Sequence, residues 1–233
     1  MDIGNTNLEP RKENTRDIKE SPILRFDLDQ IKSHFDEDVV ALTDQLTIYD
    51  KLIEDGNKKC ASLILNALIV LLESAFDFYL HEITKFGVTK IFESTWNKTD
   101  KYKNIKISIE LVEKVINNTS DEEWFYQYIN NNYASTTMVS FESFKDQLNL
   151  IGLNWKKIAD DCFYKEESDI KPENKLRDTI NALYKRRNII AHQSSRKHEN
   201  AEHIEVTKER VIEFIEDIQC IVTCIHEQAI EHE

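Results

Sequence analysis

The sequence predicts an all-α fold, a four-helix bundle with a helical insertion between its second and third core helices. Two observations carry that expectation. The 233 residues include only four glycines and three prolines, whereas an all-β chain of this length uses many more of both in tight turns. Four segments also repeat apolar side chains every three or four residues, the period of one helix face. Hydrophobic residues at 40 % and charged residues at 31 % suit a globular chain better than a disordered or membrane-embedded one.

The N-terminal segment 1–22 is polar and lacks the apolar stretch of a signal peptide. It is expected to be a disordered tail, leaving 23–233 as a single domain. The first core helix is expected from Leu28 to Asp55, with Leu28, Ile31, Phe35, Val39, Leu42, Leu46, Tyr49 and Ile53 on one face. Asp27 and Gln30 are spaced for a reciprocal cap, and Gly56 for a stop. A second helix is expected from Lys58 to Phe86, stopped by Gly87. Its middle is apolar nearly all round, which marks a central helix covered on several sides.

The longest apolar run of that helix, Cys60 to Leu72, is interrupted by Ser62 and Asn66 and closed by Glu73. A membrane span needs about 20 mostly apolar residues, so a buried helix is expected and no membrane partner. Glu73 falls four residues after Ile69 and three before Phe76. A carboxylate enclosed there wants a cation or a proton; at a helix edge it would simply reach solvent.

From 97 to 171 the periodicity weakens, and short amphipathic pieces appear at Ile107–Ile116, Glu122–Ile129, Phe141–Ile151 and Trp155–Phe163. This region reads as a helical insertion packed on the main bundle, with Trp96, Trp124 and Trp155 as packing residues rather than base-stacking platforms. The third core helix starts near Pro172, a residue tolerated in a first turn. Leu176, Ile180 and Leu183 form its buried stripe, and Arg187 falls on the same stripe. The fourth runs from Lys208 to Glu231, capped by Thr207, with Val211, Phe214, Ile215, Ile218, Val222 and Ile225 facing inward.

The net charge of −13 argues against general, charge-driven nucleic-acid binding. The charge is uneven, however. Between Lys185 and His198 stand Lys185, Arg186, Arg187, Arg196 and Lys197, with no Asp or Glu. Such a window can attract a few phosphates, not a long duplex. Lys185 and Arg186 are expected as solvated cations that steer RNA, and Arg196 and Lys197 as loop cations within reach of phosphate. The cysteines Cys60, Cys162, Cys220 and Cys224 show no disulfide-scaffold spacing, which fits a reducing cytoplasm. Cys220 and Cys224, with His226 nearby, fall short of the four ligands of a usual zinc site, so core cysteines and no metal are expected.

One segment carries chemistry, Arg187-Asn188-Ile189-Ile190-Ala191-His192. A guanidinium on an inward stripe is costly to desolvate unless it meets an anion. His192 is the side chain suited to proton transfer near neutral pH. Asn188 lies four residues before it, so the amide and imidazole share a helix face and the amide can hold one tautomer. Arg187 and His192 are about 140° apart on an ideal helix. They converge only if the helix ends or distorts there, or if a second subunit completes the site. The plainer reading is a surface helix end whose cations favour the C-terminal dipole.

Arg187-Asn188 followed by His192, on the third of four core helices, resembles the signature of the HEPN superfamily. The layout over 28–86 and 172–231 is similar to RiboL-PSP-type HEPN families of bacterial defence and toxin systems. The resemblance implies metal-independent RNA cleavage without a cofactor, in which the ribose 2′-hydroxyl attacks the adjacent phosphate. It implies His192 as general acid or base, Arg187 as the stabiliser of phosphoryl charge and Asn188 as the group that orients the histidine or the RNA; Glu73, if enclosed, would support the site by positioning an arginine. A homodimer with a composite cleft is implied too, as is a toxin or antiviral effector controlled by an antitoxin or defence-system protein. The competing expectation is a non-catalytic HEPN-like module that dimerises or docks a partner. A purely structural helical protein leaves the inward Arg187 unexplained.

Overall fold

The computed structural model of the chain describes residues 24–117, 123–133, 136–166, 168–197 and 199–233. The expected tail 1–22, Glu122 and His198 lie outside the described residues. Among the described residues there are nine helices and no strand, with an isolated bridge between Arg196 and His203. The helices are α1 (Leu28–Glu54), α2 (Lys58–Phe92), α3 (Asp100–Lys103), α4 (Ile109–Ile116), α5 (Trp124–Tyr133), α6 (Phe141–Ile151), α7 (Trp155–Phe163), α8 (Pro172–Gln193) and α9 (Lys208–Glu231).

The four long helices follow their apolar stripes and caps. At the start of α1 the Asp27 carboxylate accepts from Gln30 N while the Gln30 side chain accepts from Asp27 N, the reciprocal box that the spacing predicts. Gly56 sits just beyond the helix at φ +74°, a left-handed conformation suited to glycine. The Thr207 hydroxyl accepts from Arg210 N to start α9. The stripe of α1 is buried from Leu28 to Leu46, but Ile53 is 41 % exposed, so its inward face ends sooner than its periodicity.

α1 and α2 lie along one another, and α9 packs on both. α8 rests on α2, α7 and α9. Among the described residues α2 is the helix long and apolar enough to cross a membrane. Here Leu65, Leu68, Ile69, Leu72, Phe76, Tyr79, Leu80 and Ile83 of that helix are all buried in the core.

One expectation needs correction. α2 does not stop at Gly87 but continues to Phe92. A Cβ built at Gly87 would lie 2.8 Å from Ile151 and 2.9 Å from the Trp96 ring. The glycine therefore admits α6 and the Trp96 indole against the helix, and it is packing rather than capping that needs it. The segment 97–171 packs against the long helices. α6 packs on α2, while α7 packs on α8 and α9. Phe144, Leu148, Ile151 and Ile158 join the same continuous core as the long helices. Of the tryptophans, Trp96 meets Phe86, Trp124 meets Phe92 and Trp155 meets Phe141, each edge to face.

Gly87→Ala tests this close approach. Overpacking costs about 1–3 kcal/mol and the gain in helix propensity returns about 1. A net destabilisation of up to about 2 kcal/mol is expected from urea unfolding midpoints. A variant as stable as the parent would mean that Ile151 and Trp96 yield without cost.

Candidate active site at the end of the motif helix

α8 is regular through His192 and ends after Gln193, where Ser194 turns left-handed at φ 50° and Ser195 follows at φ 58°. Leu176, Ile180 and Leu183 are buried, and Arg187, one turn after Leu183, points at α2 as the stripe predicts. Its Nε lies 3.3 Å from Glu73 Oε2, with the Glu73 side chain 3 % exposed and that of Arg187 34 %. The carboxylate is thus enclosed and meets a cation. The contact is an ion pair without hydrogen-bond alignment, and Glu73 Oε1 has no hydrogen-bond partner among the described residues.

Burial pushes the Glu73 carboxyl above its ordinary 4.5, with the Arg187 guanidinium opposing the rise and the Asp77 carboxylate adding to it. An imperfectly compensated buried carboxylate behaves in this way. Such a group holds its proton more tightly in the fold than in the unfolded chain.

Arg186 departs from expectation. It is not a solvated cation free to steer RNA. Its Nη2 donates to Asn66 Oδ1 at 3.0 Å, to Ser195 Oγ at 2.7 Å and to the Ile204 carbonyl at 2.6 Å. The Ser195 hydroxyl is itself within 2.9 Å of the Ile204 carbonyl, and Ile204 N donates to the Ser195 carbonyl at 2.7 Å. Arg186 therefore ties the end of α8 to α2 and to the returning chain. Burial lowers its pKa. Neutral oxygens hold its Nη2, while Nε and Nη1 are buried with no hydrogen-bond partner among the described residues.

Asn188 also acts differently from its predicted role. Its Oδ1 accepts from Arg187 Nη1 at 3.0 Å, so the amide braces the guanidinium and not the imidazole. His192 is exposed and has no hydrogen-bond or ion-pair partner among the described residues. Because α8 stays helical through His192, the 140° separation persists within one chain. Lys185 is exposed with no partner among the described residues. Arg196 is exposed and its Nη1 donates to the Ala201 carbonyl at 2.7 Å. Lys197, also exposed, pairs with Glu202 at 3.1 Å. The structure thus gathers Glu73, Arg187 and Asn188, sets Arg186 aside as an anchor, and leaves Lys185, His192, Arg196 and Lys197 facing solvent.

Sequence reasoning missed Asn66, Ser195 and Cys162. Asn66 left a signal, since it breaks an apolar run and stands seven residues before Glu73, two helical turns on the same face. Ser195 left none, because its role depends on a turn geometry. Cys162 is brought by α7 to Cys220 and Cys224, their sulfurs all within 4.8 Å. His226 does not join them; its Nε2 faces Asp29 of α1 at 4.0 Å.

Two variants check these assignments. Arg186→Ala removes the donor shared by Asn66, Ser195 and Ile204 and is expected to cost about 2–3 kcal/mol by denaturant unfolding; a change near zero would show the tie to be idle. For Glu73→Gln the expectation concerns pH. A raised folded-state pKa contributes stability that is present below 4.5 and lost as pH rises through the raised value. Wild-type stability relative to Glu73→Gln should therefore fall as pH climbs from below 4.5 toward neutrality. A difference that is flat with pH would rule out the perturbed carboxyl.

The RiboL-PSP-HEPN family model matches residues 37–231. The bounds of the match enclose 97–171 as well as most of the long helices. Neither a curated protein nor a solved structure matches the chain. Most of the chain, including the whole Arg187–His192 segment, is covered, and the chain belongs to the RiboL-PSP-HEPN family.

Proposed function

We propose that this protein is a metal-independent endoribonuclease acting as a homodimer, and that it serves as a toxin or antiviral defence effector. HEPN domains are often ribonucleases and commonly dimerise. The observation that carries the reading is Arg187, braced by buried Glu73 and by Asn188 yet one-third exposed, on the same helix end as the unpartnered His192. A guanidinium held in place while still open to solvent is preorganised for an anion.

In this reading the ribose 2′-oxygen attacks the adjacent phosphorus and loses its proton, and the 5′-oxygen leaves and gains one. The products are a 2′,3′-cyclic phosphate and a 5′-hydroxyl. His192 transfers protons and Arg187 stabilises charge on the non-bridging oxygens. Since the two lie on different faces of α8, two motif helices facing one cleft bring the Arg187 of one protomer toward the His192 of the other. Two imidazoles then share the acid and base roles. Lys185, Arg196 and Lys197 supply the positive rim that an otherwise acidic chain needs to hold RNA.

His192→Ala removes a proton-transfer group at an exposed position, so cleavage should fall roughly 10²–10⁴-fold with the fold intact. Arg187→Ala should lose activity on a similar scale and also stability, since Glu73 is left unpaired. Gel assays on tRNA and mRNA in excess chelator, with end-group analysis, read the activity; light scattering reads the dimer. If folded wild type and His192→Ala cleave equally, or neither cleaves a broad RNA panel, an interaction module becomes the better reading. A monomer that still cleaves would remove the composite cleft.

A further inference from the structure

The chemistry at α8 leaves three thiols unused. Cys162 lies next to the last residue of α7, and Cys220 and Cys224 stand one turn apart on α9. Their three sulfurs lie within 4.8 Å of one another, with Cys162 Sγ 3.4 Å from Cys224 Sγ. The α9 face that carries them is fixed at both ends. One turn beyond Cys224, the Gln228 amide accepts from Asn154 N at 2.9 Å and donates to the Asn154 carbonyl at 3.3 Å, where α7 begins. One turn before Cys220, Asp217 accepts from the Thr179 hydroxyl of α8 at 3.0 Å. The triangle therefore rests on helices held in register.

We propose that Cys162, Cys220 and Cys224 bind one thiophilic divalent cation of the zinc class as three thiolates. A zinc–sulfur bond of about 2.3 Å in a tetrahedral frame requires sulfur–sulfur edges of about 3.8 Å. The triangle, with its short edge at 3.4 Å and none beyond 4.8 Å, reaches that shape by small side-chain rotations. Cys224 is 9 % exposed, while Cys162 and Cys220 are half-buried, so a solvent oxygen has access to the fourth position. On binding, three S–H bonds break, three metal–sulfur bonds form and three protons pass to solvent. No electron moves and no oxidant is needed.

The surroundings favour this over a thiol reagent. Burial pushes the Cys162 thiol up, and that of Cys224 up to about 11. Neutral buried thiols are poor nucleophiles toward oxidants, whereas a thiophilic cation can still displace the proton, its metal–sulfur bonds outweighing a deprotonation cost that grows as pH falls. Bound metal would pin α7 to α9. The site is separate from the end of α8, so it stands whether or not the protein cleaves RNA.

The test uses the full reduced chain titrated with cadmium and read by thiolate-to-metal charge-transfer absorption. Zinc is then titrated in competition with a chromophoric chelator, and native mass spectrometry gives the stoichiometry. One ion per chain is expected, with thermal stabilisation that scales with free metal and affinity that drops as pH falls. Cys162→Ser and Cys220→Ser should each weaken binding by at least about 100-fold, while Cys60→Ser, at an exposed cysteine outside the cluster, should leave it unchanged. Cys220→Ser, at a partly exposed position, guards against a variant that fails to fold. The proposal is overturned if folded wild type takes up neither metal, or if both serine variants bind as well as wild type. It also falls if peroxide closes a Cys162–Cys224 disulfide in a chain that ignores cadmium.

Discussion

The placement of two consecutive arginines against one face of α2 sets the geometry of everything near the motif. Asn66 and Glu73 stand seven residues apart, about 10 Å along the helix axis, yet they receive Arg186 and Arg187, which are neighbours in the chain. Long flexible stems let the two guanidinia splay in opposite directions from adjacent positions. The seam fixes both the rotation and the axial position of α8, because sliding or turning that helix would strip at least one anchor. A buried polar group left without its partner is what makes such a slip costly.

Much of this fold is legible in the sequence because its long helices are amphipathic and cleanly capped. The Asp27–Gln30 box, the left-handed Gly56 and the Thr207 cap act within a few residues, so local spacing suffices to place α1 and α9. Glu73 stays open in the sequence between an enclosed carboxylate and one at a helix edge, because Ile69 and Phe76 flank it on one face without showing what covers that face. Gly87 misled because a glycine after an apolar run reads as a stop; what demands it is Ile151, more than sixty residues away. In the segment 97–171 the pieces Phe141–Ile151 and Trp155–Phe163 are legible, but their partners are not. Such pieces are too short for strong periodicity, and their burial comes from meeting α2, α8 and α9.

At the site the boundary of legibility falls between residue type and partner. The sequence marks Arg187, Asn188 and His192 as chemically loaded, but it cannot say that the amide of Asn188 turns to the guanidinium. Nor can it separate Arg186 from Lys185, two adjacent cations with opposite fates. Arg186 is drawn in by Ser195 and Ile204, which reach it only because two successive left-handed residues fold the chain back after α8. Cys162 was beyond reach for the same reason, since its companions lie on a helix 58 residues later in the chain.

The nature of the Arg186 anchor has a consequence for how this region responds to ionic strength. Its acceptors are an amide oxygen, a hydroxyl and a peptide carbonyl, none of which carries charge to be screened or neutralised. Mobile ions therefore act weakly on that tie, as they do on buried contacts generally. The Arg187–Glu73 pair is different, for it sets a partly exposed cation against a carboxylate that titrates. Concentrated salt or acid thus loosens the second arginine while the first still holds α8 in place. One guanidinium serves as a fixed rivet, while the contact of its neighbour follows the ionic conditions.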